Sequence, residues 1–267
     1  MNSSVTVGFL QSNPIFGDIR HNVETVIQKL SSQKADLIVL PELFNTGYQF
    51  ISKEEVKELS EEIPSGFTTQ KLSEFSKENS VYIVAGLAEK HKDVFYNSAV
   101  LTGPDGFIGV YRKTHLFFKE KLWFSPSDTG FRVWQTPIGT IGIMVCFDWF
   151  FPESTRTLAL KGADIIAHPS NLVLPYCPDA MVTRCLENRV FAITANRTGS
   201  EKRGKEKELK FIGSSEIVSP KGNILCRASR ENEEYMQAEI NIIEARNKDL
   251  NSFNNIFSDR REDFYNL

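Results

Sequence analysis

The sequence predicts an α/β fold of four layers, an αββα sandwich in which two stacked mixed β-sheets carry helices on their outer faces. Three observations predict it. Strand-like and helical runs alternate along most of the chain. About a dozen runs have strand character, more than one open sheet holds comfortably. One pair of them is joined by a tight turn, which brings antiparallel pairing into a sheet. Stacking two sheets with helices outside buries that many strands.

Taken in order, Val5–Leu10 reads as the first strand, and Asp18–Leu30 as a helix with Val23, Val26, Ile27 and Leu30 at helical spacing. Leu37–Leu40 is an apolar strand ended by Pro41. Thr68–Asn79 reads as a helix with Leu72 and Phe75 inward, and Val81–Ala85 as another buried strand. Asn97–Thr102 and Phe107–Lys113 flank Gly103-Pro104-Asp105-Gly106, whose turn chemistry makes them a hairpin. Gly139–Val145 is a strand expected to run into a helix at Pro152–Lys161, with Pro152 suited to the first turn and Gly162 to the stop. Asp164–His168, Val190–Asn196, Phe211–Ser219, Ile224–Ala228 and Tyr235–Ile240 complete the strands. The charge run Glu201–Glu208 reads as a solvated loop. Asn251–Leu267 has no apolar stripe of its own and is expected to pack on another subunit. No linker or repeat interrupts the pattern, so residues 1–267 read as one domain.

Composition narrows the partner. With 31 basic and 34 acidic side chains in 267 residues the formal net charge is -3, which argues for a small molecule and against nucleic acid or an anionic membrane. The segment MNSSVTVGFLQSNP has neither a basic flank nor a small-residue cleavage site, so no signal peptide is expected. No apolar run approaches the roughly 20 residues of a membrane helix. Cys146, Cys177, Cys185 and Cys226 form no C-x-x-C pair, which argues against a disulfide scaffold and a zinc site. A reducing, cytoplasmic setting is the expectation.

Chemistry concentrates at a few polar residues that interrupt apolar runs. Cys146, in GTIGIMVCFDWFFPES, stands where a buried strand should turn into a helix and meet free N–H groups. A thiol there either fills a core gap or acts as a nucleophile, and a nucleophile needs a base. His115 and His168 are the candidate imidazoles, since His21 lies in a surface helix and His91 in a charged turn. The candidate carboxylate is Glu42 in LIVLPELFNTGY, placed directly behind a buried strand among apolar neighbours. Lys113 in GVYRKTHLF closes the hairpin strand as either a solvated end or a fixed charge in a cleft. Glu120 follows seven residues later in FFKEKLWFSPSD.

Together and in this order, the motifs Pro41-Glu42-Leu43-Phe44, Tyr111-Arg112-Lys113-Thr114-His115 and Cys146-Phe147-Asp148 with Phe151-Pro152-Glu153 resemble those of the nitrilase superfamily of carbon–nitrogen hydrolases. Gly162-Ala163-Asp164, His168-Pro169-Ser170-Asn171 and Glu187-Asn188-Arg189 are similar to the same family, and the likeness runs from Val5 through the Asn247–Arg261 segment. The resemblance implies the αββα sandwich, a Glu–Lys–Cys triad falling on Glu42, Lys113 and Cys146, and an additional glutamate at Glu120. It implies hydrolysis of a small amide or N-carbamoyl compound through a Cys thioester, with nitrile hydrolysis as the alternative, and needs neither metal nor organic cofactor. The backbone N–H of Phe147 would meet the oxyanion, Asp148 would cap the following helix or its entry turn, and Tyr48, Trp149 and Asn171 would contribute to the pocket. A homodimer or larger assembly is implied, through the helix near the nucleophile and Pro178–Asn188. One departure is Ser127, where the family often has glycine, which puts a loop conformation in question.

Overall fold

In the computed structural model, which describes residues 4–265, chain order runs β1 (Ser4–Gln11), α1 (Ile19–Leu30), β2 (Leu37–Val39), α2 (Lys53–Leu59) and α3 (Phe67–Asn79). Next come β3 (Tyr82–His91), β4 (Val94–Gly103), β5 (Gly106–Arg112), the short α4 (Glu120–Trp123), β6 (Val133–Thr136) and β7 (Gly139–Ile143). A 3-10 turn (Cys146–Phe150) leads to α5 (Pro152–Leu160), β8 (Ile165–Pro169), α6 (Cys177–Asn188) and β9 (Phe191–Ala195). The two-residue strands β10 (Ser200–Glu201) and β11 (Leu209–Lys210) precede β12 (Glu216–Val218), β13 (Ile224–Arg227), β14 (Glu234–Asn241) and α7 (Ile243–Arg246).

Alternation along the strands builds the layers. Val5, Val7 and Phe9 of β1, Leu37 and Val39 of β2 and Val84 of β3 join one core with Ile141, Ile165, Ala167 and Ile193 of the opposite sheet. Their neighbours Leu10, Ile38, Ile83 and Ala85 turn the other way, onto Val23, Val26 and Leu30 of α1 and Leu72 and Phe75 of α3. Asp18 caps α1 by accepting the His21 amide at 3.2 Å. The six-stranded sheets have the orders β14-β1-β2-β3-β4-β5 and β13-β12-β9-β8-β7-β6. In the first, β1, β2 and β3 are parallel and the β3-β4-β5 meander antiparallel. In the second, β7, β8 and β9 are parallel, and α5 and α6 cover the outer face. The four-layer expectation is met, and no helix among the described residues is long and apolar enough to cross a membrane.

Four expectations change. The strand at Val81–Ala85 runs on to His91, where it pairs with Val94 across a two-residue turn. The run Phe211–Ser219 is strand only over Glu216–Val218, because Gly213 and Ser214 take positive φ and a side chain at Gly213 would lie 2.4 Å from the Arg230 carbonyl oxygen. The strand before Cys146 does not turn directly into a helix there: one 3-10 turn intervenes, and α5 starts at Pro152 as expected. Finally, residues 201–208 are not simply solvated. Glu201 is buried in an ion pair with Arg197, Arg203 pairs with Glu55 and lies over the Phe16 ring, and Glu206 pairs with Lys119. In the C-terminal tail, Phe257 packs on this chain's own core and Phe253 is exposed, while residues 266–267 lie outside the described residues.

Candidate active site

The site lies at the carboxyl ends of the parallel strands, the edge where open α/β sheets present their loops. Glu42 follows β2, Cys146 follows β7, Asn171 follows β8, and Lys113 is the residue after β5. Each arrives on a fixed piece of backbone. The Glu42 turn rests on Gly86 of β3, whose amide donates to the Pro41 carbonyl at 3.1 Å and whose carbonyl accepts the Phe44 amide at 3.0 Å. A Cβ at Gly86 would lie 2.5 Å from the Glu42 Cα, so only glycine allows this approach. The Lys113 amide donates to the Asn97 carbonyl at 2.8 Å. Next to it, Arg112 grips Glu89 through two nitrogens and Asp128 through a third. Ser127 keeps an ordinary negative φ and donates its amide to the Lys113 carbonyl at 3.0 Å, so serine fits that loop.

Cys146 itself has φ +43, a left-handed conformation uncommon for a residue with a side chain. Two groups hold it there. Asp148 accepts the Val145 amide at 2.9 Å, the Tyr111 hydroxyl at 2.7 Å and the His115 amide at 3.0 Å, and its Oδ1 lies 2.8 Å from His115 Nδ1. Asp148 therefore caps the entry turn, the second of the two places expected from the sequence, and α5 has no side-chain cap. His168 is the second: its Nε2 lies 3.0 Å from the Cys146 carbonyl oxygen and its Nδ1 3.1 Å from the Thr194 hydroxyl. The carbonyl can only accept, so Nε2 carries the proton. Burial pushes the imidazole down to about 4, so the ring is neutral and its N–H is spent on backbone. His115 stacks on Phe151 at 3.7 Å between centroids. Both rings hydrogen-bond to groups other than the Cys146 thiol.

The charged cluster is shut off from solvent. Lys113 Nζ lies 2.7 Å from Glu42 Oε1 and 2.7 Å from Glu120 Oε2, and the Glu42 and Lys113 side chains have no exposed surface. Asn97 donates to Glu42 Oε1 at 2.7 Å, whereas Glu42 Oε2 has no protein partner. Glu120 is held by the Tyr48 hydroxyl at 2.7 Å and the Phe117 amide at 3.1 Å. Asn171 Nδ2 donates to the Glu42 backbone carbonyl at 2.8 Å. Burial, opposed by Lys113, lifts the Glu42 carboxyl to about 7. Burial and the Glu42 charge push the Cys146 thiol up, so at rest it keeps its proton. The opposed pair is what general-base activation needs: a protonated thiol and a carboxylate able to hold a proton near neutrality.

Of the residues expected from the sequence, Glu42, Lys113 and Glu120 form this cluster, with Tyr48 hydrogen-bonded to it. Cys146, Phe147, Trp149 and Asn171 surround an adjoining space of about 20 Å³. Sequence reasoning missed Asn97, a polar residue beside Ser98 in the buried strand stretch Tyr96–Leu101, and Glu201, which accepts the Tyr48 and Gln49 amides at 3.0 and 2.7 Å. No group of three or more His, Cys, Asp or Glu residues among the described residues has the arrangement of a metal site.

Residues 6–247 match the carbon–nitrogen hydrolase family model. A nitrilase of Pyrococcus abyssi is 54% identical over 264 residues, which is 98% of this chain and 99% of that protein. An N-carbamoylputrescine amidase of Solanum lycopersicum is 30% identical over 289 residues, covering 100% of this chain and 95% of its own length. The crystal structure of a carbon–nitrogen hydrolase from Helicobacter pylori G27 superposes with a TM-score of 0.87 at 29% identity, over 98% of this chain and 97% of that one.

Proposed function

This chain belongs to the carbon–nitrogen hydrolase family of the nitrilase superfamily and is a hydrolase, and we propose that it cleaves the C–N bond of a small amide or N-carbamoyl compound by thiol catalysis. The observation that carries the reading is the buried sharing of Lys113 between Glu42 and Glu120, with one Glu42 oxygen left without a protein partner. In this reading Glu42 takes the thiol proton and Cys146 attacks the substrate carbon. Charge developing on the substrate oxygen is met by Lys113 and by the Phe147 N–H, which lies in the first residues of the 3-10 turn where amides have no partner within the turn. One such donor is worth about 3–4 kcal/mol of barrier. Glu42 then returns its proton to the departing amine and activates the water that hydrolyses the thioester, releasing ammonia from a primary amide. Glu120 keeps Lys113 in position.

A nitrile is the second reading, favoured by the name of the Pyrococcus abyssi relative, and the same thiol would attack it to give a thioimidate. Residues 1–267 acting as one domain, a cytoplasmic setting, and assembly as a homodimer through exposed Tyr176 and Leu186 beside and on α6 belong to the same proposal. Ammonia release from matched amides, N-carbamoyl compounds and nitriles, run beside Cys146→Ala and Glu42→Gln, tests it. Release from amides that both substitutions abolish is expected. Wild-type turnover in both variants would refute the triad, and release from nitriles alone would favour the second reading.

A further inference from the structure

The space beside Cys146, walled by Phe117, Phe147, Trp149, Asn171 and Leu172, is about 20 Å³. That is the scale of one water molecule. It holds a reacting carbonyl group and little else. A cleft of about 450 Å³ lies beyond it, within the range of small-molecule sites. The Phe117–Glu120 turn contributes to both, since Phe117 walls the first and Phe118, Lys119 and Glu120 the second. Tyr48, whose hydroxyl holds Glu120, lines the cleft as well.

The cleft is apolar inside and charge-balanced at its mouth. Phe50, Trp123 and Phe124 form its floor, and Leu209 closes it from the β10–β11 hairpin. The charged side chains that line it are Lys119, Lys207, Glu120, Glu206 and Glu208. Lys119 is paired with Glu206, and Glu208 accepts the Ser200 hydroxyl at 2.8 Å. Glu120 is held by Lys113, and Lys207 and Glu208, one of each sign, leave the mouth without net charge to favour a carboxylate or an ammonium group on the substrate, while the aromatic floor favours hydrocarbon. The hairpin is held against the site by Glu201, which binds the Tyr48 and Gln49 amides, and by the Gln49 side chain, which donates to the Lys207 carbonyl at 2.7 Å.

We infer that this cleft is the acyl subsite, and that the enzyme acts on amides of uncharged acyl groups the size of a medium alkyl or arylalkyl chain. The inference rests on the thiol-hydrolase reading above. The charged hairpin then serves as the wall that selects the acyl group.

The test is kcat/KM for acetamide, butanamide, hexanamide and 3-phenylpropanamide, beside succinamic acid and N-carbamoyl-1,4-diaminobutane, with the wild type, Leu209→Trp and Phe118→Ser. The wild type is expected to gain about fourfold per methylene from acetamide to hexanamide and to disfavour both charged compounds. Leu209→Trp, which fills the cleft, is expected to lower the hexanamide-to-acetamide ratio at least tenfold. Phe118 is 66% exposed, so Phe118→Ser keeps the fold and is expected to lower the same ratio even if the tryptophan variant does not fold. A flat series with acetamide cleaved, a preference for either charged compound, or an unchanged ratio in the variants would overturn the subsite and leave the thiol reading intact. Absence of ammonia from every compound would sink both.

Discussion

Lys113 Nζ lies 2.7 Å from Glu42 Oε1, and neither side chain reaches solvent. One ammonium faces two carboxylates there, so the cluster carries excess negative charge in a dry site, and the cheapest relief is a proton on Glu42. Burial accordingly lifts Glu42 to about 7. Only the ionised carboxylate can accept the thiol proton. The expected pH profile of kcat/KM therefore rises tenfold per unit below an apparent pKa near 7 and levels above it. A profile flat from pH 5 to 8 would contradict this assignment.

The same shift has a stability sign. Between the ordinary value of 4.5 and about 7, folded Glu42 keeps a proton that the unfolded chain has released, so this group's contribution falls as pH rises across that window. Glu42→Gln removes the penalty and leaves Lys113 paired with Glu120. Thermal melts at pH 8 should show the variant as stable as the wild type or more so, with turnover lost. A Tm several degrees lower would mean that the pair stabilises the fold.

His168 separates two mechanisms. If its ring only holds the Cys146 carbonyl, His168→Ala leaves that buried acceptor unpaired, at a cost of about 1–3 kcal/mol in stability. Turnover should fall about tenfold, and the pH limb near 7 should persist. Loss of the limb together with a thousandfold fall would make the imidazole the base.

Gly86 is the seat of the Glu42 turn. Gly86→Ala drives a Cβ against Glu42 Cα at 2.5 Å, backbone against backbone. Overpacking of this kind costs about 1–3 kcal/mol. Because the displaced atom belongs to the proposed base, kcat should fall at least tenfold in a protein that still folds by circular dichroism. Retention of full kcat would show that the turn absorbs the displacement.

Tyr48→Phe tests the positioning of Glu120. The hydroxyl donates to Glu120 Oε1 at 2.7 Å, and a hydrogen bond to a charged group is worth about 1.5–3 kcal/mol. A fall in kcat of roughly tenfold, greater than any rise in KM, is expected. An effect on KM alone would make Tyr48 a substrate contact only.

The parts of the site legible in the sequence were the polar residues that interrupt apolar runs. Glu42 behind β2, Lys113 after β5 and Cys146 after β7 each break a pattern that a core strand would continue, and the spacing of strands and helices alone pointed to stacked sheets. Asn97 was less visible because a strand reading assigns it a face but no partner, and its partner Glu42 lies 55 positions away. The hairpin at residues 200–210 reads as solvated because the partners that tie down Arg203, Glu206 and Glu201 are Glu55, Lys119 and Arg197, which composition within the segment cannot reveal. The 3-10 turn at Cys146 was hidden for a related reason. What holds its positive φ is Asp148 and His168, whose bonds reach from Tyr111 to Thr194.

The central claim is that Cys146 carries the acyl group between two half-reactions. Rapid acid quench of the wild type with an amide that it cleaves, followed by intact-mass and peptide-mass measurement, tests it most directly. One acyl increment is expected, on the peptide bearing Cys146 and removable by hydroxylamine as a thioester is, and none in Cys146→Ala. An increment on another residue, or ammonia release undiminished in Cys146→Ala, would contradict it.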